Sequence, residues 1–105
     1  MTPLRMMIVD DHRLVRRGIA NLISTQADME VVGEAQDGCE AIHRAQELHP
    51  DIILMDLRMP KCDGIAATRI IKTQCPESRV IVLTVSEDDE DMFEALKSGA
   101  EGYLL

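Results

Sequence analysis

Residues 51–56 have the sequence Asp-Ile-Ile-Leu-Met-Asp, in which four consecutive apolar residues end in a carboxylate. A second run of this kind covers residues 79–84, with the sequence Arg-Val-Ile-Val-Leu-Thr. Continuous apolar runs of this length are typical of strands that are buried on both faces of a sheet. Between the two runs, apolar residues recur at helical spacing, at positions 65, 66, 70 and 71. A strand, a helix and a strand in this order predict a parallel β-α-β unit.

The same alternation extends through the whole chain. The expected strands cover residues 4–9, 30–35, 51–56, 79–84 and 101–105. Helical patterns lie between them, in residues 14–23, 38–48, 65–71 and 92–96. Local signals agree, because Asp37-Gly38 opens the second helix, His49-Pro50 stops it, and Gly99 is placed as the C′ cap of the fourth. We therefore expect one α/β domain with a doubly wound, parallel, five-stranded sheet.

Composition and charge exclude several classes of function. The 105 residues include 11 basic and 19 acidic side chains, which gives a formal net charge of −8. Such a chain is repelled by nucleic-acid phosphates and by anionic membranes, and its few aromatic residues offer no stacking surface for single strands. The cysteines, Cys39, Cys62 and Cys75, are odd in number and widely spaced, which favours reduced thiols in the cytoplasm over disulfides.

Polar side chains stand at the ends of three expected strands. Asp10 and Asp11 follow the first strand, Asp56 ends the third, and Thr84 ends the fourth. Asp10, Asp11 and Thr84 each have an ordinary explanation, because an Asp after a strand is often a turn residue and Thr is a common strand residue. Asp56 is harder to explain in this way, because it directly follows the apolar run and the Leu-Arg-Met-Pro after it is not a capping sequence. In open parallel sheets, however, the carboxyl ends of the strands share one edge, and functional sites form there. We therefore expect these side chains to converge.

Three clustered carboxylates need a counter-charge. Two like charges about 4 Å apart repel by roughly 4 kcal/mol at an effective dielectric of 20. A divalent cation removes that penalty, and oxygen ligands favour Mg²⁺, which takes one or two carboxylates together with phosphate oxygens. The sequence has neither a Walker lysine motif nor a G-x-G-x-x-G loop, so a nucleotide site is not indicated. These residues predict Mg²⁺-dependent phosphoryl chemistry at Asp56.

The strand ends and their flanking residues form one pattern. It comprises Asp10-Asp11, Asp56-Leu-Arg-Met-Pro with Asp63-Gly64 behind it, Thr84, and Gly99-Ala-Glu-Gly-Tyr103-Leu-Leu. This pattern resembles a bacterial two-component response-regulator receiver domain over essentially the whole chain. Residues 9–18, Val-Asp-Asp-His-Arg-Leu-Val-Arg-Arg-Gly, are similar to the LuxR-type (NarL/FixJ) subfamily. The resemblance implies a flavodoxin-like sheet with the strand order 2-1-3-4-5.

The resemblance also implies a role for each matching residue. Asp56 would be the nucleophile that takes a phosphoryl group from the phosphohistidine of a sensor histidine kinase. Asp10, Asp11, Asp56 and the backbone carbonyl of Arg58 would hold Mg²⁺. Thr84 would bind the new phosphoryl oxygens, and Tyr103 would follow it between exposed and buried rotamers, so that the two form a switch pair.

Further implications concern partners, and two alternatives stay open. The chain would act in the cytoplasm as a switch, not as a turnover enzyme, with phosphorylation and dephosphorylation at Asp56 only. It would form a homodimer on phosphorylation and would reach DNA only through a separate helix-turn-helix domain; no membrane contact is expected. One alternative is a Mg²⁺-dependent haloacid-dehalogenase-type phosphatase, although that family needs a second Asp where Arg58 stands. Another is a degenerate receiver that only mediates protein contacts.

Two features of the family do not occur within the 105 residues. The family carries a lysine at the end of the fifth strand, which would follow Leu105, and then a fifth helix. Lys61 and Lys97 do not replace that lysine, because neither stands at the end of an expected strand. We therefore expect residues 1–105 to be a C-terminally truncated receiver domain that lacks its fifth helix and its output domain.

Overall fold

The computed structural model describes residues 2–56, 64–83, 99–100 and 102–104, the last three by their backbone alone. The elements are β1 (Leu4–Val9), α1 (Arg13–Ser24), β2 (Met29–Ala35), α2 (Gly38–Leu48), β3 (Ile52–Asp56), α3 (Gly64–Gln74), β4 (Arg79–Leu83) and β5 (Gly102–Leu104). The strands form one sheet in the order β2-β1-β3-β4-β5, and every neighbouring pair is parallel. The predicted sheet and its strand order are confirmed.

The two faces of the sheet carry separate cores. β1 contributes to both, because its side chains alternate: Met7 and Val9 lie in the larger core, and Met6 and Ile8 in the smaller one. The smaller core is completed by α1. The larger core packs β3 and β4 against α2 and α3 through Ile53, Met55, Val80, Val82, Ala41, Ala45, Ala67 and Ile71. Each fully buried Ile, Val or Met side chain among them contributes roughly 1.5–3 kcal/mol.

The second helix begins and ends as its sequence predicts. The Asp37 side chain accepts a hydrogen bond of 2.8 Å from the backbone N–H of Glu40, which satisfies a donor that the first helical turn leaves unpaired. At the other end, His49 adopts the left-handed conformation with φ 47° and ψ 59°, and Pro50 follows it. The Arg5 guanidinium donates to the His49 carbonyl at 3.0 Å and holds this turn against the start of β1.

The third strand begins one residue later than predicted. Asp51 directly precedes β3, and its carboxylate accepts a hydrogen bond of 2.8 Å from the backbone N–H of Arg5. The backbone N–H of Asp51 donates to the Arg5 carbonyl at 2.8 Å, so this residue ties the start of β3 to β1. On the other side, the backbone N–H of Arg79 donates to the Asp51 carbonyl at 3.0 Å, so the start of β3 is tied to β4 as well.

Some sequence predictions fall outside the described residues, among them the fourth helix at residues 92–96. Gly99, predicted as the cap of that helix, has a φ of 110°, a backbone conformation that favours glycine. None of the helices described in residues 13–24, 38–48 and 64–74 is long and apolar enough to cross a membrane.

Candidate functional site

Two neighbouring strands bring three carboxylates together. Asp10 and Asp11 directly follow Val9, the last residue of β1. Val9 pairs with Met55, which precedes Asp56 at the end of β3. One potential ligand atom from each of Asp10, Asp11, His12 and Asp56 lies within 4.8 Å of the others. The three carboxylates are half-buried, whereas His12 is exposed. The expected convergence of Asp10, Asp11 and Asp56 is therefore present in the structure.

Backbone and side-chain contacts fix the loop that carries the first two carboxylates. The Asp10 N–H donates to the Ala35 carbonyl at 3.1 Å, which continues the ladder between β1 and β2 by one residue. The Asp10 carboxylate accepts a 2.8 Å hydrogen bond from the backbone N–H of His12 and so closes a tight turn. From α1, Arg16 donates to the Asp10 carbonyl at 2.7 Å and to the Glu34 carboxylate at 3.0 Å. The position of Asp10 thus depends on contacts from β2 and from α1.

His12 joins the carboxylates, although the sequence did not predict it as a site residue. Its Nδ1 lies 3.3 Å from Asp10 Oδ1 and 3.0 Å from Asp11 Oδ1. The hydrogen bond to Asp10, followed by the negative charges of Asp11 and Asp10, raises the pKa of His12 above its ordinary value. The available signal was its place directly after the paired aspartates, at the N-cap of α1.

One carboxylate oxygen in this pocket lacks a hydrogen bond. Asp11 Oδ1 is buried and accepts no hydrogen bond from the described part of the chain. His12 Nδ1 lies 3.0 Å from it, but without the geometry of a hydrogen bond. Leaving a buried charged acceptor unpaired costs stability, and a bound cation satisfies such a group. The donor set is dominated by carboxylate oxygens, the ligands that Mg²⁺ prefers. The residues present therefore fit a divalent cation.

Other predicted site residues are described in part or not at all. Thr84 and Arg58 lie outside the described residues, so the structure gives no position for the switch hydroxyl or for the carbonyl ligand. The backbone of Tyr103 lies in β5 and pairs with Val82 of β4. Gly64 is the first residue of α3, and its carbonyl accepts a 2.6 Å hydrogen bond from the buried Thr68 hydroxyl.

Comparisons with known proteins agree with one another. The family model described as "Response regulator receiver domain" matches residues 6–105. The response regulator protein VraR of Staphylococcus saprophyticus is 46% identical over 103 residues, which are 98% of this chain and 49% of that protein. VraR of Staphylococcus aureus is 47% identical over 102 residues, which are 97% of this chain and 49% of that protein. The chain thus spans about half the length of the curated relatives it matches.

Solved structures give the same result. The receiver domain of the response regulator NarL from Mycobacterium tuberculosis has a TM-score of 0.95 and 32% identity, covering 100% of this chain and 85% of that one. A LuxR-family two-component response regulator from Aurantimonas has a TM-score of 0.92 and 38% identity, covering 97% and 73%. A chain from the CheX-CheY-BeF₃-Mg²⁺ complex of Borrelia burgdorferi has a TM-score of 0.90 and 26% identity, covering 99% and 78%. The chain belongs to the response regulator receiver domain family, the signalling domain of two-component systems.

Proposed function

We propose that Asp56 accepts a phosphoryl group from the phosphohistidine of a sensor histidine kinase, and that Asp10 and Asp11 hold the Mg²⁺ for this transfer. The supporting observation is that ligand atoms of these three carboxylates lie within 4.8 Å of one another at the ends of two adjacent strands. Receiver domains bind Mg²⁺ at such an acidic pocket. Membership in the family also favours phosphoryl acceptance over the haloacid-dehalogenase-type phosphatase that the sequence left open.

The transfer is a nucleophilic displacement at phosphorus. A carboxylate oxygen of Asp56 forms the new P–O bond, the P–N bond to the donor imidazole breaks, and the departing imidazole takes up a proton. When bound, Mg²⁺ neutralises charge on the phosphoryl oxygens and on the pocket. Asp56 ends a strand that pairs with β1 on one side and β4 on the other, so little movement of the nucleophile is expected before attack.

Arg16 supports this pocket from outside it. Its guanidinium bonds to the Asp10 carbonyl and to Glu34 at the end of β2, and its side chain retains 14% exposure. The contact holds the backbone of the metal-binding loop while leaving the Asp10 carboxylate available for the cation. We therefore assign Arg16 a positioning role.

The signal is the charge added at Asp56, roughly −1.5 to −2 for a phosphoryl group at neutral pH. We assign its detection to Thr84, the residue after β4, and to Tyr103 in β5, with Arg58 supplying a backbone carbonyl to the metal. The chain acts in the cytoplasm as a switch that changes state at Asp56, without turnover of another substrate. Residues 1–105 form one receiver domain; DNA binding and phosphorylation-dependent dimerisation of the whole protein are further proposals.

The direct test uses a small phosphodonor. Wild-type chain incubated with acetyl phosphate and Mg²⁺ should gain the mass of one phosphoryl group, and EDTA should abolish the gain. Asp56→Asn should gain nothing, whereas Asp51→Asn, which alters a carboxylate at the other end of the same strand region, should be modified like the wild type. A phosphoryl group on Asp56→Asn would overturn the assignment. An unmodified wild type would favour the degenerate receiver.

A further inference from the structure

The N-cap of α1 is occupied by a side chain that does not cap the helix. His12 has an extended backbone conformation with φ −94° and ψ 107°, and its side chain makes no hydrogen bond to the first turn. The ring is directed instead to the two carboxylates before it, with Nδ1 at 3.0 Å and 3.3 Å from Asp11 Oδ1 and Asp10 Oδ1. A nitrogen ligand therefore stands at the edge of an otherwise all-oxygen pocket.

The shorter of these contacts has the spacing of two ligands on one ion. Metal ligands about 2.1 Å from an octahedral ion and at right angles to each other are about 3.0 Å apart. His12 Nδ1 and Asp11 Oδ1 have that separation, and the oxygen has no hydrogen-bond partner within the described residues. The ring nitrogen thus approaches the oxygen without the geometry of a hydrogen bond, whereas its 3.3 Å contact with Asp10 is a long one.

We propose that His12 is a ligand of the divalent-cation site and makes it selective for borderline transition ions such as Co²⁺ and Ni²⁺ over Mg²⁺. The inference rests on the metal site of the proposed function and adds a residue to it. Imidazole nitrogen binds first-row transition ions well, whereas Mg²⁺ takes oxygen ligands and keeps several waters. Mg²⁺ would therefore use the carboxylates alone, and a transition ion would recruit the ring as well. The His12 side chain is 70% exposed and its hydrogen bond to Asp10 is long, at 3.3 Å, so an ion can replace that contact.

The opposite role makes an opposite prediction. If His12 acts only as a positive partner for Asp10 and Asp11, its removal should strengthen the binding of every divalent cation, because a competing charge is lost. If it is a ligand, its removal should weaken Co²⁺ binding and leave Mg²⁺ binding unchanged. The sign of the change in affinity therefore separates the two roles.

The experiment is a calorimetric titration of the untagged chain with Co²⁺ and with Mg²⁺ at about pH 6, where a positive partner would carry its charge, and at about pH 8, where a neutral ring ligand is favoured. We expect His12→Ala to weaken Co²⁺ binding about tenfold or more and to change Mg²⁺ binding less than about twofold. His43→Ala is the matched control, since His43 is also exposed and lies beside a carboxylate, that of Glu47. Circular dichroism checks that both variants are folded.

A spectroscopic measurement accompanies the titration. Electron spin echo of the chain loaded with Cu²⁺, a paramagnetic ion that imidazole binds well, should detect coupling to a ¹⁴N nucleus, and His12→Ala should abolish it. Equal Co²⁺ affinities for wild type and His12→Ala, or a gain for both cations, would overturn the inference. Mg²⁺-dependent phosphorylation of the same variants separates this failure from failure of the proposed function: a normal Asp56 product with no ¹⁴N coupling rejects only the role of His12.

Discussion

Replacing Asp56 by Asn removes one of three clustered carboxylates and keeps the size of the side chain. The ligand oxygen of Asp56 lies within 4.8 Å of those of Asp10 and Asp11, so each of its two charge pairs repels by about 3.5 kcal/mol at an effective dielectric of 20. Solvent screens these pairs, because Asp10 and Asp11 keep 14% and 25% of their side-chain exposure. Fully exposed pairs contribute at most about 1 kcal/mol each. We therefore expect Asp56→Asn to raise the free energy of unfolding of the metal-free chain by about 2 kcal/mol.

For a domain of this size, that change corresponds to an increase in Tm of about 8 °C. The assay is urea and thermal unfolding in EDTA, followed by circular dichroism, for the wild type, Asp56→Asn and the control Asp28→Asn. The control makes the same charge change at an exposed residue and should alter stability by less than about 0.5 kcal/mol. With saturating Mg²⁺ the gain should shrink, because the wild type binds the cation more tightly than the variant and is stabilised more.

Two results would show that repulsion from the neighbouring carboxylates does not destabilise the metal-free chain. An Asp56→Asn variant that is less stable than the wild type in EDTA would mean that the Asp56 carboxylate is stabilised by its surroundings more than it is repelled by its neighbours. If Asp56→Asn and Asp28→Asn raised the free energy of unfolding by the same amount, the gain would come from the change in net charge and not from repulsion within the pocket.

Three further predictions concern the metal site, two glycines and two thiols. Millimolar Mg²⁺ should raise the Tm of the wild type, by an amount equivalent to about 2.7 kcal/mol when the Mg²⁺ concentration is one hundred times the Kd. Asp11→Ala should remove most of this increase. An unchanged melting curve of the wild type would contradict the metal site. Gly99→Ala should destabilise the chain by about 1–2 kcal/mol, because Gly99 has a φ of 110°. Gly18→Ala should stabilise the chain by about 0.5–1 kcal/mol, since Gly18 lies within α1 with open space around it. Urea unfolding measures both variants, and changes in the free energy of unfolding that have the same sign would contradict these two predictions. Cys75 is 2% exposed and burial raises the pKa of its thiol, whereas Cys39 is exposed. In the folded chain Cys75 should therefore react with a maleimide at least about 100-fold more slowly than Cys39, as measured by peptide mass mapping. Equal rates would mean that the core around Cys75 opens readily.

Much of the fold follows from local features of the sequence. The run at residues 51–56 predicts β3 because a strand buried on both faces tolerates no polar residue before its end, and the structure begins that strand one residue later. Asp37 and His49 bound α2 as predicted, since capping and helix termination depend on a few neighbouring residues. The meeting of Asp10, Asp11 and Asp56 was also predictable, because it depends only on parallel strands ending at one edge.

The features that the sequence did not predict depend on contacts between distant parts of the chain. Arg16 and Glu34 are 18 residues apart, and their contact exists only once α1 packs beside β2. The direction of the His12 ring is set by the turn that Asp10 closes, which cannot be deduced from residue type alone. The Asp51 carboxylate bonds to the backbone of Arg5, 46 residues away in the chain. Such contacts are specified by the tertiary fold.

The phosphoacceptor is identified by trapping the phosphorylated product chemically, and we expect it to be Asp56. An acyl phosphate on an aspartate is reduced by borohydride to the hydroxyl side chain of homoserine, which tandem mass spectrometry locates in a peptide. After incubation with acetyl phosphate and Mg²⁺, we predict homoserine at position 56 alone, and none without Mg²⁺. Homoserine at position 10 or 11, or none at any position, would exclude Asp56 as the phosphoacceptor.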